Sequence, residues 1–219
     1  MTKVVRIHEF GGSEVLSIED DEIGAPGPGE VLLDQKGMAL HYADTMLREG
    51  KYHLKPELPA VVGLDGTGVV EAVGDGVTNF KPGDTACYMF NLGAYAERRI
   101  IAADALMPVP DGVDPKNLAG TFLRGMTAQY LLRQTYRVQS GDTVLIHTAA
   151  GGMGQLLCQW AKALGATVIG TVGSDDKKAI ATDRGAAHVI NSRTEDIAAG
   201  VDEITGGAGV AAVYDGIGR

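Results

Sequence analysis

The most constraining feature of the sequence is a glycine-rich turn between an apolar strand and a helix. Thr143–His147 reads as the strand, Gly152–Leu164 as the helix, and Thr148-Ala149-Ala150-Gly151-Gly152-Met153-Gly154 joins them. Bare backbone lets a pyrophosphate approach closely, and a helix N-terminus offers unpaired N–H groups and a positive dipole end. The spacing is Ala-Ala-Gly-Gly-x-Gly rather than Gly-x-Gly-x-x-Gly, so the inference depends on context. That context is present. Strands at Thr167–Thr171, His188–Ile190 and Val210–Asp215 alternate with helices at Asp175–Arg184 and Glu195–Thr205. Such alternation predicts a parallel sheet with helices on both faces. Four strands of a six-strand dinucleotide fold are accounted for, so the sequence reads as a C-terminally truncated copy of a longer protein. Val210–Asp215 would then be an exposed, apolar edge strand.

Upstream the texture differs. Short apolar runs at Lys3–His8, Val15–Glu19, Glu30–Lys36, Gly68–Val73, Thr85–Phe90 and Tyr95–Ile101 alternate with Gly/Pro turns such as Lys81-Pro82-Gly83-Asp84. This pattern suggests a small β-barrel or sandwich. His41–Arg48 contains no Gly or Pro and can form a short helix. Asp114–Val138 reads mainly as helix, interrupted near Gly120 and Gly125. The expected organisation is an all-β domain, barrel or sandwich, over 1–120 and a partial Rossmann-type α/β domain over 121–219.

Charge and composition narrow the function classes. The formal net charge of −9 disfavours non-specific nucleic-acid binding, which draws on clustered Lys and Arg. No apolar run approaches the roughly 18 residues needed to span a bilayer, and the first residues lack a signal-peptide core. Cys87 and Cys158 sit far apart in apolar contexts, which predicts buried free thiols in a reducing cytoplasm. The 31 glycines suit many tight turns or a backbone-lined ligand site.

The segment after the second strand of the α/β region bears on the nucleotide. An NAD-binding fold usually places Asp or Glu there to hold the ribose 2′-hydroxyl. Here the sequence is Thr171-Val172-Gly173-Ser174-Asp175-Asp176-Lys177-Lys178, with Gly173 in place of the acid. Ser174 can donate a hydrogen bond and Lys177 can offer a positive charge to a 2′-phosphate. Arg193, after the third strand, can join them. Asp175 and Asp176 would repel a phosphate if they faced it; as first-turn helix acids they can instead cap and face solvent. The balance favours NADPH over NADH.

These residues, with Gly141-Asp142-Thr143-Val144-Leu145 and Gln159-Trp160-Ala161-Lys162, resemble the zinc-free quinone oxidoreductases of the medium-chain dehydrogenase/reductase superfamily, the zeta-crystallin group. Phe10-Gly11-Gly12-Ser13-Glu14-Val15-Leu16, Gly63-Leu64-Asp65-Gly66-Thr67-Gly68-Val69-Val70 and Val213-Tyr214-Asp215 extend the resemblance over the whole chain. It implies a GroES-like barrel followed by a Rossmann domain, the active site between them, NADPH as cofactor, a quinone or conjugated enone as acceptor, and a homodimer. Cofactor contacts carried over by resemblance are Tyr42, Asp44, Met46, Thr127, Tyr130, Gly151, Gly152, Met153, Gly154, Gly173, Ser174, Lys177, Ser192, Arg193 and Gly216.

Two positions depart from that pattern. His41 stands where the family commonly has Asn, and Ser192 where it has Tyr, which should weaken NADPH binding unless Arg193 compensates. Zinc relatives carry a Cys-type ligand and Gly-His-Glu where this chain has His41 and Gly63-Leu64-Asp65, so no metal is expected; His41, Asp44 and Asp65 are the only ligand set to weigh against that. Reduction delivers a hydride, or electrons singly, to the acceptor. Without zinc, the developing oxyanion needs hydrogen-bond donors; Tyr52 and His41 are the candidates. Alternative readings are a 2-alkenal or enoyl reductase of the same superfamily, or a non-catalytic NADPH-binding protein.

Overall fold

The structure is a computed structural model that describes residues 1–216 and 218. It contains two compact units, Met1–Leu123 and Arg124–Arg219. Ile217 and Arg219 lie outside the described residues.

The first unit holds two antiparallel sheets. β1 (Thr2–Ile7), β2 (Ser17–Asp21) and β4 (Ala60–Val61) form one, in the order β2-β1-β4. β3 (Glu30–Met38), β5 (Gly66–Val73), β6 (Thr85–Tyr88), β7 (Arg98–Ala102) and β8 (Met107–Pro108) form the other, in the order β7-β3-β5-β6-β8. A bridge between Val4 and Ala96 joins strand β1 to the loop before β7. The period-2 pattern of β3 buries Val31, Leu33 and Gln35 on one face. Val31 and Leu33 meet Val70, Ala86, Tyr88 and Ile101 in the main core of this unit. A second core of Ile7, Leu47, Ala60, Val62 and Leu64 seats α1 (Tyr42–Arg48) through Leu47.

The second unit is a parallel sheet of β9 (Thr143–Ile146), β10 (Thr167–Val172), β11 (His188–Asn191) and β12 (Ala212–Tyr214), in the order β11-β10-β9-β12. Near-continuous apolar strands such as Thr143-Val144-Leu145-Ile146 are what a sheet covered on both faces requires. On one face Val144, Ile146, Val168 and Val172 pack with Leu157, Cys158 and Ala161 of α3 (Gly152–Ala163) and Ala181 of α4 (Lys178–Asp183). On the other, Leu145, Ile169 and Ile190 pack with Val201 of α5 (Ile197–Thr205). Asp196 caps α5 by accepting the Ala199 N–H at 2.9 Å, and Gly206 ends it in the left-handed conformation at φ 61°.

Three local expectations need correction. α2 (Pro115–Tyr130) is continuous, followed by a π turn over Leu131–Thr135. Gly120 and Gly125 lower its intrinsic helicity without breaking it, as a glycine's cost of about 1 kcal/mol is readily overridden by packing such as that of Ala128 and Leu132. A 3₁₀ turn at Ser13–Val15 lies between β1 and β2, so β2 begins at Ser17 rather than Val15. The helix after β10 starts as a 3₁₀ turn at Asp175–Lys177, where Ser174 provides no side-chain cap. Both cysteines are buried and free, and burial pushes each thiol up to about 11.

Candidate functional site

Parallel strands deliver their carboxyl ends to one edge, and there the sequence-predicted nucleotide residues assemble. β9 ends at Ile146 and runs into the glycine-rich turn; β10 ends at Val172 before Gly173, Ser174 and Lys177. β11 ends at Asn191 before Ser192 and Arg193; β12 ends at Tyr214 before Gly216. Thr148, Ala150, Gly151, Val172, Gly173, Lys177 and Ile180 line a pocket of about 130 Å³ at this edge.

The turn has the form that a pyrophosphate needs. Gly151 precedes α3 with no side-chain cap, leaving the first-turn amides without side-chain partners. At Gly154 a Cβ would stand 2.2 Å from the Thr148 carbonyl oxygen, and at Gly170 one would stand 2.7 Å from Ala149 Cβ. Only glycine lets α3 and the turn approach β10 so closely. Thr148 itself takes φ 53°. Thr171 fastens the turn: its Oγ1 lies 3.0 Å from His147 Nδ1, and its carbonyl accepts the Ala149 N–H at 2.8 Å. Thr171 had no signal in the sequence beyond being a hydroxyl at the end of an apolar strand. The Arg124 guanidinium passes 3.1 Å from where a Gly152 Cβ would lie, adding positive charge beside the turn. Gly152 is exposed, and Met153 packs part-buried against the core.

Beyond β10 Asp175 is drawn towards the end of β11. Asn191 Nδ2 donates to Asp175 Oδ1 at 3.0 Å, and Lys178 Nζ pairs with the same oxygen at 3.3 Å and with Glu195 at 2.8 Å. The Asn191 hydrogen bond first, and Lys178 second, hold the Asp175 carboxyl below its usual range. Asp175 is thus a largely exposed first-turn acid, as expected, whose carboxylate pairs with Asn191 and Lys178 at the end of β11. Lys177 makes no ion pair among the described residues, and Arg193 Nε comes within 3.7 Å of the Cβ position at Gly173. Ser192, at the Tyr-to-Ser departure, donates its hydroxyl to the Val172 carbonyl at 3.1 Å and so ties β11 to β10. Thr127 and Tyr130 lie one turn apart on α2, Thr127 half-buried and Tyr130 exposed.

In the first unit His41, Asp44 and Asp65 converge. His41 stands at the N-cap of α1, and its backbone N–H donates to Asp44 Oδ2 at 2.7 Å. Its Nε2 lies 2.7 Å from Asp65 Oδ2, in a pair with side chains only 9% and 5% exposed. Asp65 Oδ1 accepts the Phe90 N–H at 3.0 Å. Asp44 is buried, its Oδ1 has no hydrogen-bond partner among the described residues, and burial raises its carboxyl above the ordinary range. Tyr42 on the same helix is 80% exposed, and Met46 is half-buried. Tyr52 packs part-buried against the Leu47 core, its ring 4.1 Å from that of His53. His41 and Tyr52, paired as candidate donors in the sequence, thus differ here: the Nε2 of His41 is already committed to Asp65.

Residues 27–138 match the family of alcohol dehydrogenase GroES-like domains, and residues 152–219 match the zinc-binding dehydrogenases. The 2-haloacrylate reductase of a Burkholderia species is 46% identical, and the quinone oxidoreductase of Pseudomonas aeruginosa 44% identical; each alignment covers 100% of this chain and 67% of the relative. The crystal structure of Escherichia coli quinone oxidoreductase complexed with NADPH superposes with a TM-score of 0.94 at 40% identity, over 100% of this chain and 67% of that one. The quinone oxidoreductase of Pseudomonas syringae gives the same TM-score at 47% identity. The β-rich first unit and the parallel sheet of the second are accordingly a GroES-like domain and a Rossmann-type domain, and the chain belongs to the quinone oxidoreductase family of the medium-chain dehydrogenase/reductase superfamily.

Proposed function

We propose that this protein is a zinc-independent, NADPH-dependent reductase of quinones. The observation that carries the reading is the carboxyl edge of the parallel sheet. There an uncapped helix N-terminus follows a glycine turn, and Lys177 and Arg193 flank Gly173 where an acid would otherwise select NADH. The E. coli relative whose structure contains NADPH shares this fold at a TM-score of 0.94.

The residues divide by role. The first-turn amides at Gly152, Met153 and Gly154 hold the pyrophosphate; Ser174, Lys177 and Arg193 hold the 2′-phosphate; and Gly216 leaves the end of β12 open. On family grounds Thr127 and Tyr130 of the second unit, and Tyr42, Asp44 and Met46 of the first, are assigned as contacts of the cofactor. NADPH, when bound, supplies a hydride, and with one proton from solvent a quinone becomes a hydroquinone. The Tyr52 hydroxyl donates a hydrogen bond to the oxygen on which negative charge develops. His41 borders the same place as a fixed ring. Zinc independence is supported by how the ligand-type atoms are used: both Asp65 oxygens, Asp44 Oδ2 and His41 Nε2 are spent on hydrogen bonds. Among the described residues no three His, Cys, Asp or Glu side chains group as a metal site. The reading places a homodimer in the cytoplasm on family grounds; no helix among the described residues is long and apolar enough to cross a membrane.

A second acceptor class has specific support, since the relative at 46% identity is a 2-haloacrylate reductase, which acts on an activated alkene. Following nicotinamide absorbance with a benzoquinone, a conjugated enone and 2-chloroacrylate separates the two. Fastest turnover with the quinone supports the proposal. Turnover confined to the alkenes assigns the second class, and no turnover with any acceptor overturns both.

A further inference from the structure

Arg99 of β7 is a part-buried guanidinium that meets no carboxylate among the described residues. Its donors converge on one loop: Nη1 donates to the Asn91 carbonyl at 3.0 Å, and Nη2 to Asn91 Oδ1 at 2.5 Å and to the Leu92 carbonyl at 3.0 Å. Its planar centre lies 4.6 Å from the ring centroid of Tyr88, whose hydroxyl donates to buried Gln35 Oε1 at 2.5 Å. One residue before the clamped pair, Phe90 adopts φ 55°, a conformation costly for a bulky residue. Phe90 spends that strain on its N–H, which meets Asp65 Oδ1 at 3.0 Å. The other oxygen of Asp65 holds His41 Nε2.

We infer that Arg99 and Asp65 are positioning residues for His41. Arg99 holds the 90–92 turn in the strained form that presents the Phe90 amide; the amide fixes Asp65; and Asp65 takes the Nε2–H of the imidazole. Because a carboxylate only accepts, the ring nitrogen that meets Asp65 carries its proton, which places that proton on Nε2 and leaves Nδ1 as the nitrogen not held by Asp65. His41 then acts by orienting the start of α1, with Tyr42, Asp44 and Met46 behind it, and not by donating a proton from Nε2. The inference rests on the reductase reading only in taking His41 to border the reaction site.

The test reads the ring directly. Long-range proton–nitrogen NMR of the five histidines, with the His41 signal assigned by its loss in His41→Asn, reports the tautomer without any cofactor. The expected wild-type pattern is a single Nε2–H form. Arg99→Lys, which keeps the charge and loses the fork, and Asp65→Asn should each give a mixture of tautomers, with kcat about tenfold lower and NADPH affinity little changed. The double variant should be no worse than the weaker single. Arg98→Lys, at the exposed neighbouring position on the strand and paired with Glu71, should change neither reading. Should Arg99→Lys fail to fold, Asn91→Ala removes one acceptor of the same fork and carries the same expectation. An unchanged His41 pattern in a folded Arg99→Lys or Asn91→Ala protein overturns the inference, even if that protein melts earlier. A protein that binds no NADPH yet shows these tautomer changes would refute the reductase reading and leave the linkage standing.

Discussion

Gly154 and Thr148 touch across the glycine turn so closely that a methyl group at 154 would lie 2.2 Å from the Thr148 carbonyl oxygen. The obstacle is backbone and cannot rotate aside. Gly154→Ala must therefore push α3 off the sheet, at about 1–3 kcal/mol, and open the turn. The expected outcome is a lower Tm together with loss of most NADPH affinity. A folded Gly154→Ala protein with wild-type affinity would contradict the role given to this contact.

Lys177 and Arg193 should discriminate between nucleotides. Each is expected to contribute a charge-assisted contact to the 2′-phosphate, so Lys177→Ala and Arg193→Ala should each weaken NADPH about 10-fold or more. NADH, which lacks that phosphate, should bind much as before. Calorimetric titration of both nucleotides checks this, and equal losses for the two would place these cations elsewhere.

Asp44 should show a stability cost at neutral pH. Burial raises its carboxyl in the folded protein, so the folded state holds the proton more tightly than the unfolded chain. Stability therefore falls as pH rises from the ordinary carboxylate value through the folded one, and the loss is complete above both. Asp44→Asn keeps an oxygen for the His41 N–H and removes the buried charge. Its expected effect is a gain in stability at pH 7 that shrinks as pH falls towards the ordinary carboxylate value, with reduced turnover. Thermal melts across pH decide the sign.

Chelation should leave the protein unaffected. If both Asp65 oxygens, Asp44 Oδ2 and His41 Nε2 are committed to one another and to the His41 and Phe90 amides, prolonged treatment with a strong chelator leaves Tm and quinone turnover unchanged. Loss of activity restored by zinc would contradict the zinc-independent reading.

Much of the α/β unit was legible because its signals are local. Apolar strands at regular spacing and glycines at a strand–helix turn report their own structure, and every strand of the parallel sheet matches a run in the sequence to within two residues at either end. The short strands β4 and β8, two residues each, carry no period to read. The interruption expected in α2 was wrong because glycine propensity is weak against packing. In the candidate site, the glycine turn could be read directly, whereas the Asp175–Asn191–Lys178 arrangement could not, because it depends on two neighbouring strand ends. Arg99 carries no signal in the sequence, and Asp65 figures there only among possible metal ligands, for the same reason: the link from Arg99 through Asn91 and Phe90 to Asp65 and His41 joins residues up to 58 positions apart, and no sequence spacing encodes it.

The most direct test of the account is nucleotide titration of the purified protein, followed through Trp160, the single tryptophan, which lies on the helix that the glycine turn opens. The account predicts saturable quenching by NADPH, at least tenfold weaker binding of NADH, and a difference that narrows as salt screens Lys177 and Arg193. Equal affinity for the two nucleotides, or no binding of either, would contradict it.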